Sequence, residues 1–416
     1  MSVDTTAVHA FDHDTSAGQG LDHCPFMPVF GPPAIMFERG SGTELWDSTG
    51  KRYLDFLTGL AVVAVGHSNP HVASAVANQA ATLSHVSSLF ANPVATEAAT
   101  RIGAMLHDAT GHPGQVFFAN SGAEANECAL KLARKFGGRG RHTVVSALGS
   151  FHGRTLATLA ATGQPTKHEP FQPMPDGFRH VAWGDVEAMR TAVDGSVAAV
   201  IVEAVQGEGG VHPASDEYLR AIRSICDEVG ALLILDEIQA GFGRTGRWFA
   251  FEHAGVSPDV VTLAKAMGNG MPIGACWART DVAAAFEPGD HGSTYSGTAL
   301  ACSAVNATLD EMERIDAPAA AERQGRRITE AAMAIPGVTG VRGKGLMLGV
   351  ELADGIDAKA VYADLIERGL VTNAVDPSTL RLLPPITVSD AEIDEAMAIL
   401  GDSVGQAHTV ASGGRP

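Results

Sequence analysis

The sequence predicts an α/β fold: a mostly parallel central sheet covered by helices, followed by a smaller C-terminal α+β domain. Short apolar runs rich in β-branched residues occur through the middle of the chain, and such runs are typical of strands buried on both faces of a parallel sheet. Helical patterns lie between them, and this alternation favours helices on both sides of the sheet. The strands are expected at 115–119, 143–146, 197–203, 231–236 and 259–264.

The helices are predicted from apolar periodicity and from glycine stop signals. Apolar residues recur at helical spacing from Ala129 to Phe136, just before a glycine pair, and a second helical pattern spans 218–229. After about residue 305 the pattern changes, which indicates a separate small domain. Its expected elements are an Ala-rich helix, a strand pair around 341–352, a helix at 358–368 and a final helix near 390–400.

The length of 416 residues suggests two to three domains. The first residues are polar and lack hydrophobic periodicity, so a disordered leader is expected. The expected organisation is a leader over 1–24, an N-terminal arm and small-domain segment over 25–65, a large domain over 66–304, the C-terminal small domain over 305–402 and a loose tail over 403–416.

Composition and charge favour a soluble cytoplasmic enzyme. The formal net charge of −18 repels phosphate backbones and argues against nucleic acid as a partner. No apolar run approaches the roughly 18–20 residues that span a membrane. The first 38 residues contain no Lys or Arg, so no signal peptide is expected. The five cysteines lack CxxC spacing, which indicates a reducing compartment. The histidines are scattered and form no HExxH pattern, so no metal site is predicted.

The most informative pair of residues is Asp236 and Lys265. Asp236 ends one predicted strand and Lys265 follows the next, so both should lie at the ligand-binding edge of the sheet. A desolvated lysine has a lowered pKa and can become a nucleophilic amine. Such a lysine beside an aspartate suits pyridoxal phosphate, with Lys265 forming a Schiff base and Asp236 holding the pyridine nitrogen protonated. The alternative is an ion pair at the sheet edge.

Three loops add further candidates. Ser121, Gly122 and Ala123 open a helix directly after a strand, where free backbone N–H groups can hold a phosphate, although an ordinary capped helix start has the same pattern. In the second loop, Phe151 could stack on a heterocycle and Arg154 could bind a carboxylate, unless the segment is merely a turn. The third loop, 291–295, has hydroxyl groups that could contact a phosphate, but serine-rich loops are usually without function.

In this order, the motifs resemble the class III aminotransferases of the pyridoxal-phosphate fold type I superfamily, and within it the acetylornithine aminotransferases. The resemblance extends from about Pro33 to Leu400. The segments that carry it are Tyr53–Phe56, Phe117–Glu127, Phe151–Thr155, Val205–Gly210, Asp236–Gln239, Lys265, His291–Thr294 and Arg381–Pro385.

The resemblance implies a role for each candidate residue. Lys265 would bond to the cofactor and shuttle the proton, and Asp236 would pair with the pyridinium nitrogen. The remaining cofactor contacts would be Ile238 and Phe151 on the two ring faces, Gln239 near the phenolic oxygen, and Ser121, Gly122 and Ala123 at the phosphate. Thr294, with Ser293 beside it near the substrate, would complete the phosphate site from a second subunit, which implies a homodimer.

The resemblance also implies how two substrates share one site. Arg154 would hold the donor's α-carboxylate, and Arg381 would bind the second carboxylate of glutamate or 2-oxoglutarate. Glu208 would form an ion pair with Arg381 and release it when glutamate enters. A structural salt bridge that never opens is the alternative.

The amino donor is less firmly implied than the reaction. Leu60 stands where ornithine aminotransferases carry a tyrosine, which favours N2-acetyl-L-ornithine as donor and 2-oxoglutarate as acceptor. Four positions depart from the usual acetylornithine pattern and leave ornithine, succinylornithine or another ω-amine open: Ala204, Val63, Asn269 and Thr298. An aminomutase or racemase of the same fold is disfavoured, because Arg154 and Arg381 suit an amino donor and a dicarboxylic acceptor in turn. A non-catalytic cofactor-binding protein would require loss of Lys265, which is present.

Overall fold

The computed structural model describes residues 27–30, 33 and 35–413. Its strands are β1 (Phe37–Ser41), β2 (Glu44–Asp47), β3 (Arg52–Asp55), β4 (Gly114–Ala119), β5 (Thr143–Ala147), β6 (Phe178–Val181), β7 (Val197–Glu203), β8 (Val205–Gln206), β9 (His212–Pro213), β10 (Leu232–Asp236), β11 (Val260–Leu263), β12 (Gly274–Arg279), β13 (Val338–Lys344), β14 (Met347–Leu352), β15 (Leu370–Val371), β16 (Asn373–Asp376) and β17 (Thr379–Leu382). Its helices are α1 (Thr58–Ala61), α2 (Pro70–Thr82), α3 (Pro93–Thr110), α4 (Gly122–Gly137), α5 (Leu156–Ala161), α6 (Val186–Ala192), α7 (Asp216–Val229), α8 (Thr280–Ala283), α9 (Ala299–Arg314), α10 (Ala317–Met333), α11 (Ala358–Arg368) and α12 (Asp390–Ala411).

A seven-stranded sheet in the order β4-β12-β11-β10-β7-β5-β6 forms the centre of the large domain. Its strands are parallel except for β12, which runs antiparallel to both of its neighbours. The α/β prediction is therefore confirmed, and each of the five predicted strands is present within one residue at either end. Sequence analysis missed β6 and β12, because polar residues interrupt the first and Gly, Ala and Cys give the second little β-branched character.

Helices cover both faces of this sheet, as the alternation of patterns predicts. Along β10, Leu232 and Ile234 pack in a core cluster with residues of α4. Leu233 and Leu235 point to the opposite face and belong to a second cluster that contains residues of α7. Both faces of the strand are thus buried, and only its carboxyl end remains to carry polar side chains.

The parallel register brings three strand ends to one edge of the sheet. Asp236, the last residue of β10, is paired in register with Glu203 at the end of β7 and with Thr262 near the end of β11. Lys265 follows β11 directly, and Ser121 stands between β4 and α4. The sheet therefore places these residues side by side although they are far apart in the sequence.

Two four-stranded sheets and one two-stranded sheet, formed by β8 and β9, accompany the large one. Strands β1, β2 and β3 are joined by β15, which comes from the C-terminal part of the chain and pairs parallel to β3. Strands β13, β14, β17 and β16 form a second small sheet, which packs against α10 and α11, and α12 packs on these two helices. The first 24 residues lie outside the described residues.

Two expected boundaries differ from the structure. Residue 304 falls inside α9, which packs on α2 and α3, so the helix belongs with the large domain. The tail predicted over 403–416 is wrong up to residue 411, because the last helix, predicted to end near Leu400, continues to Ala411. Leu400 and Val404 are fully buried on the same helix face, so tertiary packing carries the helix past two glycines of low helical propensity.

None of the described helices has the combination of length and apolar sequence that a membrane span needs.

Candidate active site

A cavity of about 370 Å³ opens at the carboxyl edge of the central sheet, beside the start of α4. Its size is within the range of small-molecule sites. Most of the candidate residues from the sequence line it, namely Ser121, Gly122, Ala123, Phe151, Arg154, Glu208, Asp236, Ile238, Gln239 and Lys265. The fold thus gathers residues of five separate sequence motifs around one cavity.

Asp236 is buried at the end of β10 and is held by two side chains that sequence analysis did not single out. Its Oδ2 accepts a hydrogen bond of 2.9 Å from Nδ2 of Asn126 and lies 2.8 Å from Nδ1 of His152. Its Oδ1 accepts the backbone N–H of Ile238 at 3.1 Å. Asn126 Nδ2 also donates to the carbonyl of His152 at 2.7 Å. These contacts fix the orientation of the carboxylate, and Asp236 still lines the cavity.

Lys265 reaches the same cavity from a strained turn after β11. Its backbone has φ 48°, a left-handed conformation that non-glycine residues rarely adopt and that often marks functional positions. Burial lowers the pKa of its amine to about 8, although Glu208, Asp236 and Glu203 oppose this shift. A sizeable fraction of the amine is therefore uncharged near neutral pH, which suits a nucleophile.

The start of α4 forms an anion cradle beside these residues. Ser121 caps the helix, with its Oγ accepting the N–H of Glu124 at 3.2 Å. The N–H groups of Gly122 and Ala123 lie in the first turn and have no partner within the helix. A Cβ on Gly122 would lie only 2.7 Å from Cδ1 of Ile238, so no larger residue fits there without movement. An anion can bind at this helix start.

Glu203 adds a second buried carboxyl group to the cavity wall. Burial raises its pKa well above the ordinary value, and the neighbouring charge of Asp236 raises it further. The N–H of Phe151 donates to its Oε2 at 3.3 Å. Sequence analysis placed Glu203 at a strand end but gave it no role. Glu203 pairs with Asp236 across the parallel strands, so its place at the end of the neighbouring strand could have identified it as a candidate site residue.

The expected ion pair between Glu208 and Arg381 is present. Nη1 of Arg381 lies 2.7 Å from Oε1 of Glu208, and the same nitrogen donates to Gln239 Oε1 at 3.3 Å. The Arg381 side chain is fully buried, whereas 30% of the Glu208 side chain is exposed. Burial raises the pKa of Glu208, but the charge and hydrogen bond of Arg381 outweigh it and bring that pKa below its ordinary value.

Two cations lie near the ring of Phe151. The guanidinium carbon of Arg154 and the amine of Lys167 are each 5.4 Å from the ring centroid. Burial lowers the pKa of Lys167, and the charge of Arg154 lowers it further. Among the described residues no carboxylate forms an ion pair with Arg154, so it can receive an anionic ligand. Lys167 was missed because its loop has no motif.

Four candidates lie outside the cavity lining. Arg381 is fully buried behind Glu208 and Gln239, which do line the cavity. Leu60 is 36% exposed, and its near neighbour Val62 is the residue that lines the cavity. Ser293 accepts a hydrogen bond of 3.0 Å from Asn120 Nδ2, which places it near the start of α4. Thr294 is exposed and does not reach the cavity within this chain. In the described part of the chain, no group of three His, Cys, Asp or Glu residues could hold a metal ion.

Two of the four unusual positions have identifiable structural roles. The side chain of Thr298 caps α9 by accepting the N–H of Ala301 at 3.4 Å. Asn269 ends the turn that begins at Lys265, and its side chain forms hydrogen bonds with the backbone at Val65 and Gly66.

Comparison with known proteins supplies the family context. Residues 28–404 match the family model described as aminotransferase class-III. A protein of Caldanaerobacter subterraneus subsp. tengcongensis named acetylornithine aminotransferase is 45% identical over 385 residues, which cover 90% of this chain and 96% of that protein.

Two solved structures are similar over most of their length. The ornithine aminotransferase of Toxoplasma gondii, crystallised with oxidised glutathione and with partial occupancy of pyridoxal phosphate (PLP) at its active site, has a TM-score of 0.86 and 32% identity, covering 93% of both chains. The N-acetylornithine aminotransferase of Stenotrophomonas maltophilia K279a has a TM-score of 0.78 and 33% identity, covering 90% of this chain and 97% of that one.

Proposed function

Because this chain belongs to the class III aminotransferase family, we propose that it transfers the terminal amino group of N2-acetyl-L-ornithine to 2-oxoglutarate, with pyridoxal phosphate as cofactor. The products are N-acetyl-L-glutamate 5-semialdehyde and L-glutamate. The observation that carries the proposal is that Lys265, Asp236 and the start of α4 face one cavity. Relatives at 41–46% identity with the name acetylornithine aminotransferase support the choice of donor.

The residues of the cavity fit this cofactor. The free N–H groups of Gly122 and Ala123 would hold its phosphate, and Asp236 would meet its ring nitrogen. Phe151 and Ile238 offer apolar side chains to a flat ring, and Lys265 offers an amine of lowered pKa. When bound, the cofactor acts as an electron sink at the carbon that carries the amino group.

Asp236 and Lys265 perform different tasks in this proposal. Asp236 stays in one orientation because Asn126 and His152 both contact its Oδ2, so its charge stays directed at one position. The Lys265 amine would take the proton from the substrate carbon that carries the amino group and would release it to the cofactor. A pKa of about 8 suits both directions of transfer, since general acid–base catalysis works best when the pKa is close to the working pH.

The two substrates differ in their number of carboxylates. One cation, Arg154, lines the cavity, and a second, Arg381, is buried directly behind Glu208 and Gln239. Arg154 would bind the single carboxylate of acetylornithine through its two parallel N–H donors. Arg381 would bind the second carboxylate of 2-oxoglutarate or glutamate. While acetylornithine is bound, Glu208 neutralises Arg381 and avoids a bare buried charge.

We also propose a homodimer in which Thr294 of each subunit acts at the other subunit's phosphate site. Thr294 is exposed in the isolated chain, although its neighbour Ser293 contacts Asn120 next to the anion cradle. Leu89 and Phe90 are 84% and 70% exposed, and such apolar surface is typical of an interface between subunits.

The test is a comparison of kcat/KM for N2-acetyl-L-ornithine, succinylornithine and ornithine with 2-oxoglutarate as acceptor. We expect acetylornithine to exceed ornithine by about tenfold or more, since Leu60 and Val62 offer no polar partner to a free ammonium. Equal or better use of ornithine would contradict the assigned donor. Product formation without any acceptor would instead support an aminomutase.

A further inference from the structure

A run of left-handed backbone lies beside the cavity. Thr58, Gly59, Leu60 and Ala61 have φ of 51°, 62°, 70° and 66°, and three of the four carry a Cβ. Such a run persists only where the surrounding structure holds it in place. It leads directly into Val62, which lines the cavity. The position of Val62 in the cavity wall therefore depends on contacts that other parts of the chain make with this segment.

The start of the run is held by groups within the small-domain part of the chain. Asp55 Oδ1 accepts the N–H groups of Leu57 at 2.9 Å and Thr58 at 2.7 Å. The hydroxyl of Thr58 donates to the carbonyl of Leu383 at 2.8 Å. These bonds fix where the run begins, but they do not reach its far end.

Beyond the run, the segment Ala64–Gly66 is held by the backbone N–H of Ile386, which donates to the carbonyl of Ala64 at 2.7 Å, and by one side chain from the large domain, Asn269. Oδ1 of Asn269 accepts the N–H of Val65 at 3.0 Å, and its Nδ2 donates to the carbonyl of Gly66 at 3.1 Å. Val65 is buried, so its N–H would lose a partner that water cannot easily replace. The two bonds use both ends of the amide and so set its orientation.

Asn269 is also part of the turn that carries Lys265. It caps the turn Lys265–Gly268, and its own N–H donates to the carbonyl of Ala266 at 3.2 Å. Its backbone has φ 44° and ψ 44°, a left-handed conformation that Asn tolerates better than most residues. Asn269 thus links the turn that carries Lys265 to the segment that leads from the left-handed run through Val62 to Gly66.

We propose that Asn269 is a positioning residue that sets the distance between Val62 in the cavity wall and the Lys265 amine, and so contributes to selection of the amino donor. This inference rests on the proposed function for the identity of the donor. Asn269 does not line the cavity, so it acts through the wall and not by contact with substrate.

The test is the holoenzyme of the variant Asn269→Gly. Glycine accepts the left-handed backbone without cost, so only the two side-chain hydrogen bonds are removed. We expect the KM of the preferred amino donor to rise about three- to tenfold, with kcat within about twofold of the parent. Hydrogen exchange should become about tenfold or more faster at the Val65 amide.

Two further variants isolate the cause. Asp316 has φ 48° and forms no side-chain cap bond at the start of α10, so Asp316→Gly makes the same backbone change and should leave KM and Val65 exchange unchanged. Asn269→Asp keeps an acceptor for the Val65 N–H and loses the donor to Gly66, so it should restore protection at Val65 at least in part.

Several outcomes would overturn the inference. An unchanged KM for the amino donor in Asn269→Gly would refute the positioning role. Equal losses in kcat for all donors, with unchanged hydrogen exchange at the Val65 amide, would also refute it. The comparison uses whichever donor the parent prefers, so a parent that prefers ornithine refutes the assigned donor while still testing Asn269.

Discussion

Replacement of Lys265 by alanine should lower kcat by more than about 10³-fold, the largest loss that we expect from any single change. The amine would be lost both as the nucleophile and as the group that moves the proton, and no other described lysine lines the cavity. The anion cradle of Ser121, Gly122 and Ala123 is separate from Lys265, so the variant should still bind cofactor.

The measurement is steady-state turnover together with cofactor content after gel filtration. Lys359→Ala serves as the control, since Lys359 lies exposed on α11, and it should retain parental activity. Turnover of Lys265→Ala within tenfold of the parent would refute its assignment as the reacting amine.

Asp236→Asn should lower kcat by about 10²-fold or more, because the substitution removes the charge with little change in shape. In the parent, Asn126 and His152 both contact Oδ2 of the Asp236 carboxylate. An asparagine amide has only one oxygen that can accept these contacts, and its NH₂ group must point away from them. The loss should therefore affect the chemical step more than the binding of either substrate.

The prediction is checked by kcat and by the visible absorption spectrum of the holoenzyme, with the melting temperature as a control for folding. A lower kcat with an unchanged melting temperature supports the assignment. An unchanged kcat with the parental spectrum would show that the ring of the cofactor is held by another group.

The sequence predicted the main sheet and the residues at its carboxyl edge because both follow local rules. Uninterrupted apolar strands such as Val197–Glu203 are visible in the pattern, and a polar residue directly after such a strand must lie at the sheet edge. The positions of Asp236 and Lys265 therefore follow from strand order, and the resemblance to a family added their roles.

The support around Asp236 could not be predicted in the same way. Asn126 lies in the second turn of α4 and His152 lies in a loop after β5, and only the packing of α4 on the sheet brings them to one carboxylate. The left-handed run from Thr58 to Ala61 is similar, because its own residues do not favour this backbone. A local contact from Asp55 and a tertiary contact with Leu383 hold its start, and Asn269 holds the segment that follows it.

One active site serves two substrates because Glu208 neutralises Arg381 for one of them and releases it for the other. Arg381 is fully buried, and removal of its partner leaves an uncompensated charge that favours any ligand with a second carboxylate. Glu208→Ala should therefore bind 2-oxoglutarate or glutamate more tightly. It should also react more slowly with acetylornithine, whose bound state would leave Arg381 bare.

The most direct test is single-turnover kinetics of Glu208→Ala, with the acetylornithine and glutamate half-reactions measured separately against the parent. We expect opposite effects: a lower apparent KM in the glutamate half-reaction and a slower acetylornithine half-reaction. Equal slowing of both half-reactions would contradict this expectation and would show that the pair of Glu208 and Arg381 is a fixed structural salt bridge.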